Sequence, residues 1–378
     1  MPRDSVQIAR LGATLSWTGA DEGLAAPYDD ALADGLGEVL GRLETHDPRS
    51  GSELAARLSR LGPDEFQRLL GAPETSCRLL HPRRHELAGV AAFLGAAAEA
   101  EALRRDGGEP EAPLWTALGD FRAVPQGAPY RAPRLGGAVL DFEGPHANDL
   151  NRNAATAASF GAANRYEAEA RARLARRLAA VLADIEAVNP FTARFVARYT
   201  RVILLVKDPA AGRFMSRSPE RRVGLTLLAN ADSADLDDVE LAESLIHEAI
   251  HSLVETAETL ANRAARPGDR WISDPALYDG VLCTVSPWTH TRLVAPTYVH
   301  ACFVWYGIVR FWACALEREV FPIGRVQDRL RASMRGFLSP AMLSQLEPFR
   351  GALHPDLTAS LAQLGKEVRM AFDAVLTA

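Results

Sequence analysis

The chain has 378 residues, of which 48% are hydrophobic and 24% charged, so it can bury a core as one large domain or two, and wholesale disorder is excluded. Its formal net charge of −6 at pH 7 argues against electrostatically driven binding to nucleic acid or to acidic lipid. The four cysteines have no C-x-x-C spacing, which predicts reduced thiols in a cytosolic protein rather than a disulfide framework.

The first part of the chain is predicted to be helical. Its N-terminus, MPRDSVQIARLGATLSW, lacks a continuous apolar run, so we expect no signal peptide and a cytoplasmic protein. Apolar residues then recur with helical spacing, and an Ala-rich run follows, which predicts an N-terminal helical region over residues 1–110. Residues 111–150 are read as an irregular connection. It follows the loop DGGEPEAP and contains one short strand, GGAVLDFEG.

Residues 151–378 are predicted to form the metal-binding catalytic domain. A long helix should end near Asn189-Pro190, because the residue before proline avoids the α region. YTRVILLVKD and RVGLTLLAN read as strands, separated by the polar turn PAAGRFMSRSPER. The second strand is expected to form a sheet edge that pairs with an extended peptide substrate. An acidic stretch then opens another long helix. The predicted fold class is therefore mainly α with a small β element (α+β), in which a zincin-like HExxH helix packs on a short sheet.

The second long helix carries the motif H-E-x-x-H in SLIHEAIHSLVE, residues 244–255. His247 and His251 are four residues apart and so share one face of a helix, where two imidazoles can bind a single ion. Apolar residues flank them on most sides, and a buried imidazole needs a partner. These observations predict a metal site. In zinc proteases the glutamate, here Glu248, is the general base.

A metal site of this kind needs a third protein ligand, and we favour His300. It lies in the apolar segment APTYVHACFVWYGIVRFW, which is expected to be a buried helix with Pro296 in its first turn. A single histidine on such a helix is more often a core residue. Here, however, His247 and His251 supply only two ligands, and a metal site needs a third. The alternative third ligands are Asp274, Asp279 and His290, of which His290 is expected on a surface loop.

Two carboxylates follow the motif on the same helix. Glu258 comes eleven residues after His247, which returns it to nearly the same face but about 16 Å along the axis. We therefore expect Glu255 and Glu258 to be solvated or to support a ligand, rather than to share the ion.

The segment LIHEAIHSLV, followed by SPWTHTRLVAPTYVHACFVWYGIVRFW, resembles the bacterial HExxH-motif proteins found beside gene clusters that modify ribosomally made peptides. In that family a Pro-Trp dipeptide, a helical histidine and a Phe-Trp pair follow the motif helix. The matching positions are Pro287-Trp288, His300 and Phe311-Trp312. The similarity covers residues 195–320. The chain departs from the family at Ala249-Ile250, where other members usually have aromatic or hydrophilic residues, and at Thr289, where they tend to have an arginine.

The resemblance implies an iron(II)- and 2-oxoglutarate-dependent β-hydroxylase that acts on a residue of a ribosomally synthesised precursor peptide. Three ligands would then leave positions for the keto acid and oxygen, and His247, His251 and His300 would supply them. An arginine should hold the distal carboxylate of 2-oxoglutarate.

Arg292 is the first choice for that arginine and Arg310 the second, and Trp288 is expected at the cofactor pocket. Glu248 would orient a ligand or a metal-bound water.

Two other functions remain open. The first is a zinc metallopeptidase, in which Glu248 is the general base and the zinc ion keeps a water in its open position. The second is a non-catalytic protein that binds a leader peptide through a degenerate metal site, which the complete motif disfavours. The expected partner is a precursor peptide. Nucleic acid is not expected as a partner because of the negative net charge. A membrane is not expected because the most apolar segment contains His300 and Arg310 and reads as a core helix.

Overall fold

The protein is mainly α-helical with small sheets, as the sequence predicts. Helices account for 62% of the structure and strands for 10%, which confirms the fold class. None of the four cysteines forms a disulfide. The structure is a computed structural model, and it describes residues 3–19, 23–81, 85–146, 165–208, 212–264, 270–278 and 283–377.

The elements have the following bounds. The α-helices are α1 (Arg3–Thr14), α2 (Ala25–His46), α3 (Pro48–Leu58), α4 (Pro63–Leu70), α5 (Pro73–Leu80), α6 (Leu87–Asp106), α7 (Ala168–Val188), α8 (Pro190–Tyr199), α9 (Asp238–Ala264), α10 (Ala295–Leu316), α11 (Ile323–Leu338), α12 (Ala341–Ser344) and α13 (Pro355–Thr377). Short 3₁₀ helices span Pro275–Tyr278 and Glu347–Ala352. The strands are β1 (Leu114–Trp115), β2 (Phe121–Ala123), β3 (Tyr130–Arg131), β4 (Arg134–Leu135), β5 (Ala138–Asp141), β6 (Val202–Val206), β7 (Met215–Arg217), β8 (Leu225–Ala229), β9 (Cys283–Val285) and β10 (Arg292–Val294).

The chain folds into two compact units, each assembled from segments that are distant in sequence. The first unit comprises Met1–Ala25, Leu182–Val196 and Ala242–Ala378, and the second comprises Ala26–Val181 and Ala197–Leu241. The motif helix enters the first unit just before its histidines. The division of the chain into regions 1–110, 111–150 and 151–378 stays a prediction.

The second unit contains a five-stranded sheet in the order β4-β5-β6-β8-β7. The inner strands β5, β6 and β8 are parallel, and the outer strands pair antiparallel. Every residue of β6 and β8 is buried, as expected for parallel strands that are covered on both faces. The two strands predicted at 199–208 and 222–230 are thus confirmed.

The expectation that strand 222–230 lies at a sheet edge is wrong. β8 is hydrogen-bonded to β6 on one side and to β7 on the other, with Met215 opposite Ala229. The sequence reading missed β7 because it is three residues long and includes polar Ser216 and Arg217 within a segment rich in turn residues.

The helices of the second unit begin where the sequence supplies proline. α3, α4 and α5 each have proline in the first helical positions, where its missing N–H costs nothing. The Ser50 backbone N–H also bonds the Asp47 carboxylate, which caps α3 at 3.2 Å. The amphipathic run at 51–71 is divided between α3 and α4, because Gly62 and Pro63 break it.

In the first unit α9 and α10 pack side by side and run antiparallel. Near the start of α9, Glu243 accepts a hydrogen bond from the Trp312 indole at 2.6 Å, late in α10. Near the end of α9, Glu258 lies 2.7 Å from His300, early in α10. Between these contacts, Ile250 of α9 packs directly on Gly307 of α10.

α10 is the core helix of the first unit. It is the one helix in the described residues that is long and apolar enough to cross a membrane, and 67% of its most apolar window is buried inside the protein. This burial confirms the prediction of a core helix. α11 and α13 pack against it.

The Phe311-Trp312 pair has a structural role at the base of α10. The Trp312 indole and the Arg329 guanidinium of α11 both donate to the buried Glu243 carboxylate, Arg329 Nε at 2.9 Å. This shared acceptor ties α9, α10 and α11 together.

Candidate metal centre

His247 and His251 lie side by side on α9. Their ring centres are 5.0 Å apart and the ring planes differ by 59°, as the i, i+4 spacing requires. Both residues are half-buried. Burial lowers the pKa of His251 well below its ordinary value, and the neighbouring His247 and His300 lower it further. His251 is therefore a neutral imidazole, the form that binds metal.

The structure brings His300 to the same place from α10. Its ring centre lies 6.1 Å from that of His251, with the planes 36° apart, and its side chain is largely buried at 9% exposure. The three imidazoles predicted as ligands thus come from two separate helices, and His251 is the ring neighbour of both His247 and His300. Metal binding by them stays a prediction.

A carboxylate of the motif helix holds His300. Its Nε2 lies 2.7 Å from Oε2 of Glu258, which is only 6% exposed. The Tyr278 hydroxyl donates to the other oxygen of this carboxylate. Burial raises the pKa of Tyr278, and the negative charge of Glu258 raises it further. Glu258 therefore supports a predicted ligand, one of the two roles expected from the sequence.

Glu255 adds a second carboxylate beside the same histidine. One ligand atom from each of Glu255, Glu258 and His300 lies within 4.8 Å of the others. The axial separation of Glu258 from His247 does not keep it from His300, because the antiparallel α10 brings His300 level with the later part of α9. This Glu-Glu-His group is a further set of donors that could hold an ion. From the sequence both carboxylates were considered but were not expected to share the ion, because that expectation rests on the distance of Glu258 from His247 and not from His300.

Glu248 lies in a tightly packed part of α9. It is 2% exposed, and its neighbours Ile246, Ala249 and Ile250 are fully buried. The apolar surroundings expected for the motif are therefore present. A rotation of about 100° per residue places Glu248 beside, rather than in line with, the two histidines.

An aromatic stack adjoins His247. Its ring meets the edge of Trp305 of α10 at 5.8 Å, and Trp305 in turn stacks on Trp288 at 6.1 Å. The Trp288 indole donates to the Ser333 carbonyl at 2.7 Å, and its ring occupies the space that a side chain at Gly336 of α11 would need. Trp288, which was predicted at the cofactor pocket, is thus linked to His247 through the ring of Trp305. Trp305 is the residue that the sequence reading missed, and its position five residues after His300 carries no helical signal.

The two candidate arginines lie on different elements. Arg292 is exposed on β10, opposite Val285 of β9. Arg310 lies on α10, one turn after Tyr306, whose hydroxyl donates to Glu367 of α13 at 2.6 Å. Arg310 therefore shares the face of α10 that turns toward α13, whereas Trp305 turns toward His247. The contacts of the described residues join neither arginine to the three imidazoles.

The alternative third ligands lie elsewhere or cannot be placed. Asp274 is exposed and accepts a hydrogen bond from the Ala276 backbone at 2.9 Å. His290 is exposed in a turn with a φ of 58°, which confirms the surface position expected for it. Asp279 lies outside the described residues.

Comparison with known proteins adds no family to this picture. No protein-family model matches the chain, and no curated protein is significantly similar to it.

Proposed function

We propose that this protein is a metal-dependent, cytoplasmic enzyme that modifies a peptide, namely an iron(II)- and 2-oxoglutarate-dependent β-hydroxylase of a residue in a ribosomally synthesised precursor peptide. The observation that supports the metal centre is that His251 of α9 has both His247 of α9 and His300 of α10 as ring neighbours. The motif resemblance between residues 195 and 320 supports the choice of reaction.

The donors suit an ion such as iron(II). Neutral imidazole binds iron, zinc, copper and nickel, and the lowered pKa of His251 keeps that residue neutral. In this site His247, His251 and His300 bind the ion and Glu258 orients His300. When bound, iron(II) would activate dioxygen, which is the oxidant, and the keto acid would supply two of the four electrons through its oxidative decarboxylation to succinate, the other two coming from the hydroxylated residue. The buried apolar residues around Glu248 exclude water from one side of the histidines.

The keto acid requires a cation for its distal carboxylate, and the candidates keep the order given by the sequence. Arg292 is exposed directly before α10, so its guanidinium is accessible to a ligand. Arg310 has a buried Nε without a hydrogen-bond partner. A buried donor without an acceptor costs about 1–3 kcal/mol, which a bound carboxylate would offset.

A zinc metallopeptidase is the second candidate, favoured by Glu248. This carboxylate is intact, buried and adjacent to His247 on α9, where a zinc protease has its general base. The two candidates share the histidines and differ in what Glu248 must do.

The test needs no knowledge of the peptide. Purified protein is loaded anaerobically with iron(II), and 2-oxoglutarate is added while the visible spectrum is recorded. We expect a charge-transfer band that requires both additions and is lost in His247→Ala, His251→Ala and His300→Ala. His290→Ala, on the exposed turn, is the matched control and should keep the band. A protein that binds zinc, gives no band with iron and keto acid, and cleaves peptides only when Glu248 is present would establish the peptidase instead.

A further inference from the structure

We infer that Glu258 is the positioning residue of His300: it holds the proton on Nε2, so that His300 meets the metal ion through Nδ1. This inference rests on the proposed function for the assignment of His300 as a ligand. It adds the coordinating atom and the group that selects it.

The first step is the contact between the two side chains. His300 Nε2 lies 2.7 Å from Glu258 Oε2, and both residues are largely buried. Glu258 already accepts the Tyr278 hydroxyl at its other oxygen, and a carboxylate accepts hydrogen bonds at both oxygens, so we assign the proton of this contact to Nε2. In a neutral imidazole the other nitrogen then keeps its lone pair. Nδ1 is therefore the atom that His300 offers to an ion.

The second step is that Glu258 is itself held in place. Its other oxygen, Oε1, accepts the Tyr278 hydroxyl, and that hydroxyl also has a hydrogen bond with Asn262. Asn262 lies one turn after Glu258 on α9. With both oxygens engaged, the carboxylate cannot rotate away from His300 without breaking a buried hydrogen bond.

The third step separates this arrangement from direct binding by carboxylates. Glu255 and Glu258 lie within ligand distance of His300 as a group, so an ion could sit between the carboxylates. The ion would then add to a Glu258 oxygen that already accepts from His300 or Tyr278, or displace one of them. The support role requires neither change, and it is the usual partner arrangement of a metal-binding histidine, which donates its second N–H to a carboxylate.

Metal affinity provides the first measurement. Zinc(II) is titrated against a competing chelator in the full chain, in Glu258→Ala, Glu258→Gln and Tyr278→Phe. Loss of such a supporting carboxylate weakens metal binding about 10- to 100-fold, so we expect that loss in Glu258→Ala. Glu258→Gln should lose less, because the amide oxygen still accepts from Nε2–H. Tyr278→Phe removes one hydroxyl without removing the carboxylate, and should give a smaller loss in a folded protein.

Glu255→Gln is the matched control on the same helix. In the arrangement inferred here it leaves zinc affinity unchanged. A loss as large as that of Glu258→Ala would show that the ion is bound by the carboxylate group, and would overturn the inference.

The ring proton provides the second measurement, which loss of structure alone would not reproduce. In protein labelled with ¹⁵N-histidine, NMR should show a slowly exchanging proton on Nε2 of His300, identified by its disappearance in His300→Gln. This signal should be present with and without zinc and be lost in Glu258→Ala. A proton on Nδ1, or zinc bound to Nε2, contradicts the inference.

The two hypotheses fail separately. If the wild-type protein binds neither iron nor zinc, the proposed function is wrong. The tautomer of His300 in the metal-free protein still tests whether Glu258 holds the proton on Nε2. Wild-type protein that binds zinc with an affinity unchanged by Glu258→Ala overturns only the inference.

Discussion

Ile250 and Gly307 set the distance between the two helices that carry the histidines. A Cβ atom built on Gly307 would lie 2.6 Å from Cδ1 of Ile250, which is closer than carbon atoms pack. The Trp17 indole also donates to the Gly307 carbonyl at 2.8 Å. Because residue 307 has no side chain, α10 can pack closely on α9, which places His300 beside the motif helix.

Gly307→Val should separate α9 from α10 and weaken metal binding without touching a histidine. Overpacking of this kind costs about 1–3 kcal/mol, so we expect a lower thermal midpoint together with lower zinc affinity. Gly324→Ala in α11 is the matched control, since a Cβ there meets nothing within 4 Å. Equal zinc affinity in Gly307→Val and wild type would show that the helix contact does not govern the site.

Arg329→Met should destabilise the first unit, because it removes the guanidinium that donates, together with the Trp312 indole, to the buried Glu243 carboxylate. Removing one member of a buried pair costs about 3–5 kcal/mol, and the partial exposure of Arg329 places the expected loss at the low end. Chemical denaturation measures it. The double variant Arg329→Met/Glu243→Leu should recover much of the loss, and a double variant less stable than Arg329→Met would contradict this account.

Metal-free protein should lose stability as the pH falls below about 6.5, the ordinary pKa of histidine. The folded state holds the pKa of His251 well below that value. The unfolded chain therefore takes up a proton first, and acid favours unfolding. Above this pH both states are neutral at His251 and the effect vanishes. Thermal midpoints of wild type and His251→Gln between pH 5 and 8 provide the measurement, and the variant should show the weaker dependence. Parallel curves for the two proteins would rule out His251 as the source.

Glu248→Gln should separate the two candidate reactions. A hydroxylase keeps its iron and keto-acid spectrum in this variant, because the three histidines remain. A peptidase loses its general base, worth about 10²- to 10⁴-fold in rate, while keeping its zinc. The measurement is the visible spectrum together with peptide cleavage, with zinc content as the control for folding.

Sequence periodicity was sufficient to predict the two histidine-bearing helices and the inner strands, whereas α8 and the helices after α10 were not predicted. The apolar spacing around His247 and His251 predicts α9, and Pro296 marks the start of α10, as observed. The long helix predicted before Asn189 begins only at Ala168 among the described residues, because Glu/Arg-rich periodicity does not mark a helix start.

The pairings between segments were not predictable from the sequence. Contacts such as Glu258 with His300, and His247 with Trp305, depend on how far α9 and α10 slide along each other. That offset is a property of the packed pair, and nothing in either helix alone specifies it. β7 escaped prediction for a related reason, since three residues gain strand structure only from the neighbouring β8.

The composition of α10 has a consequence for how the protein is made. Two of its packing partners, α11 and α13, are translated after it, so this apolar 22-residue helix leaves the ribosome before that part of its cover exists. Until the last segment emerges, this helix is a target for chaperones and for self-association. Chains that stop before Ile323 should therefore collect in inclusion bodies, whereas the full-length chain sequesters the same helix in its interior.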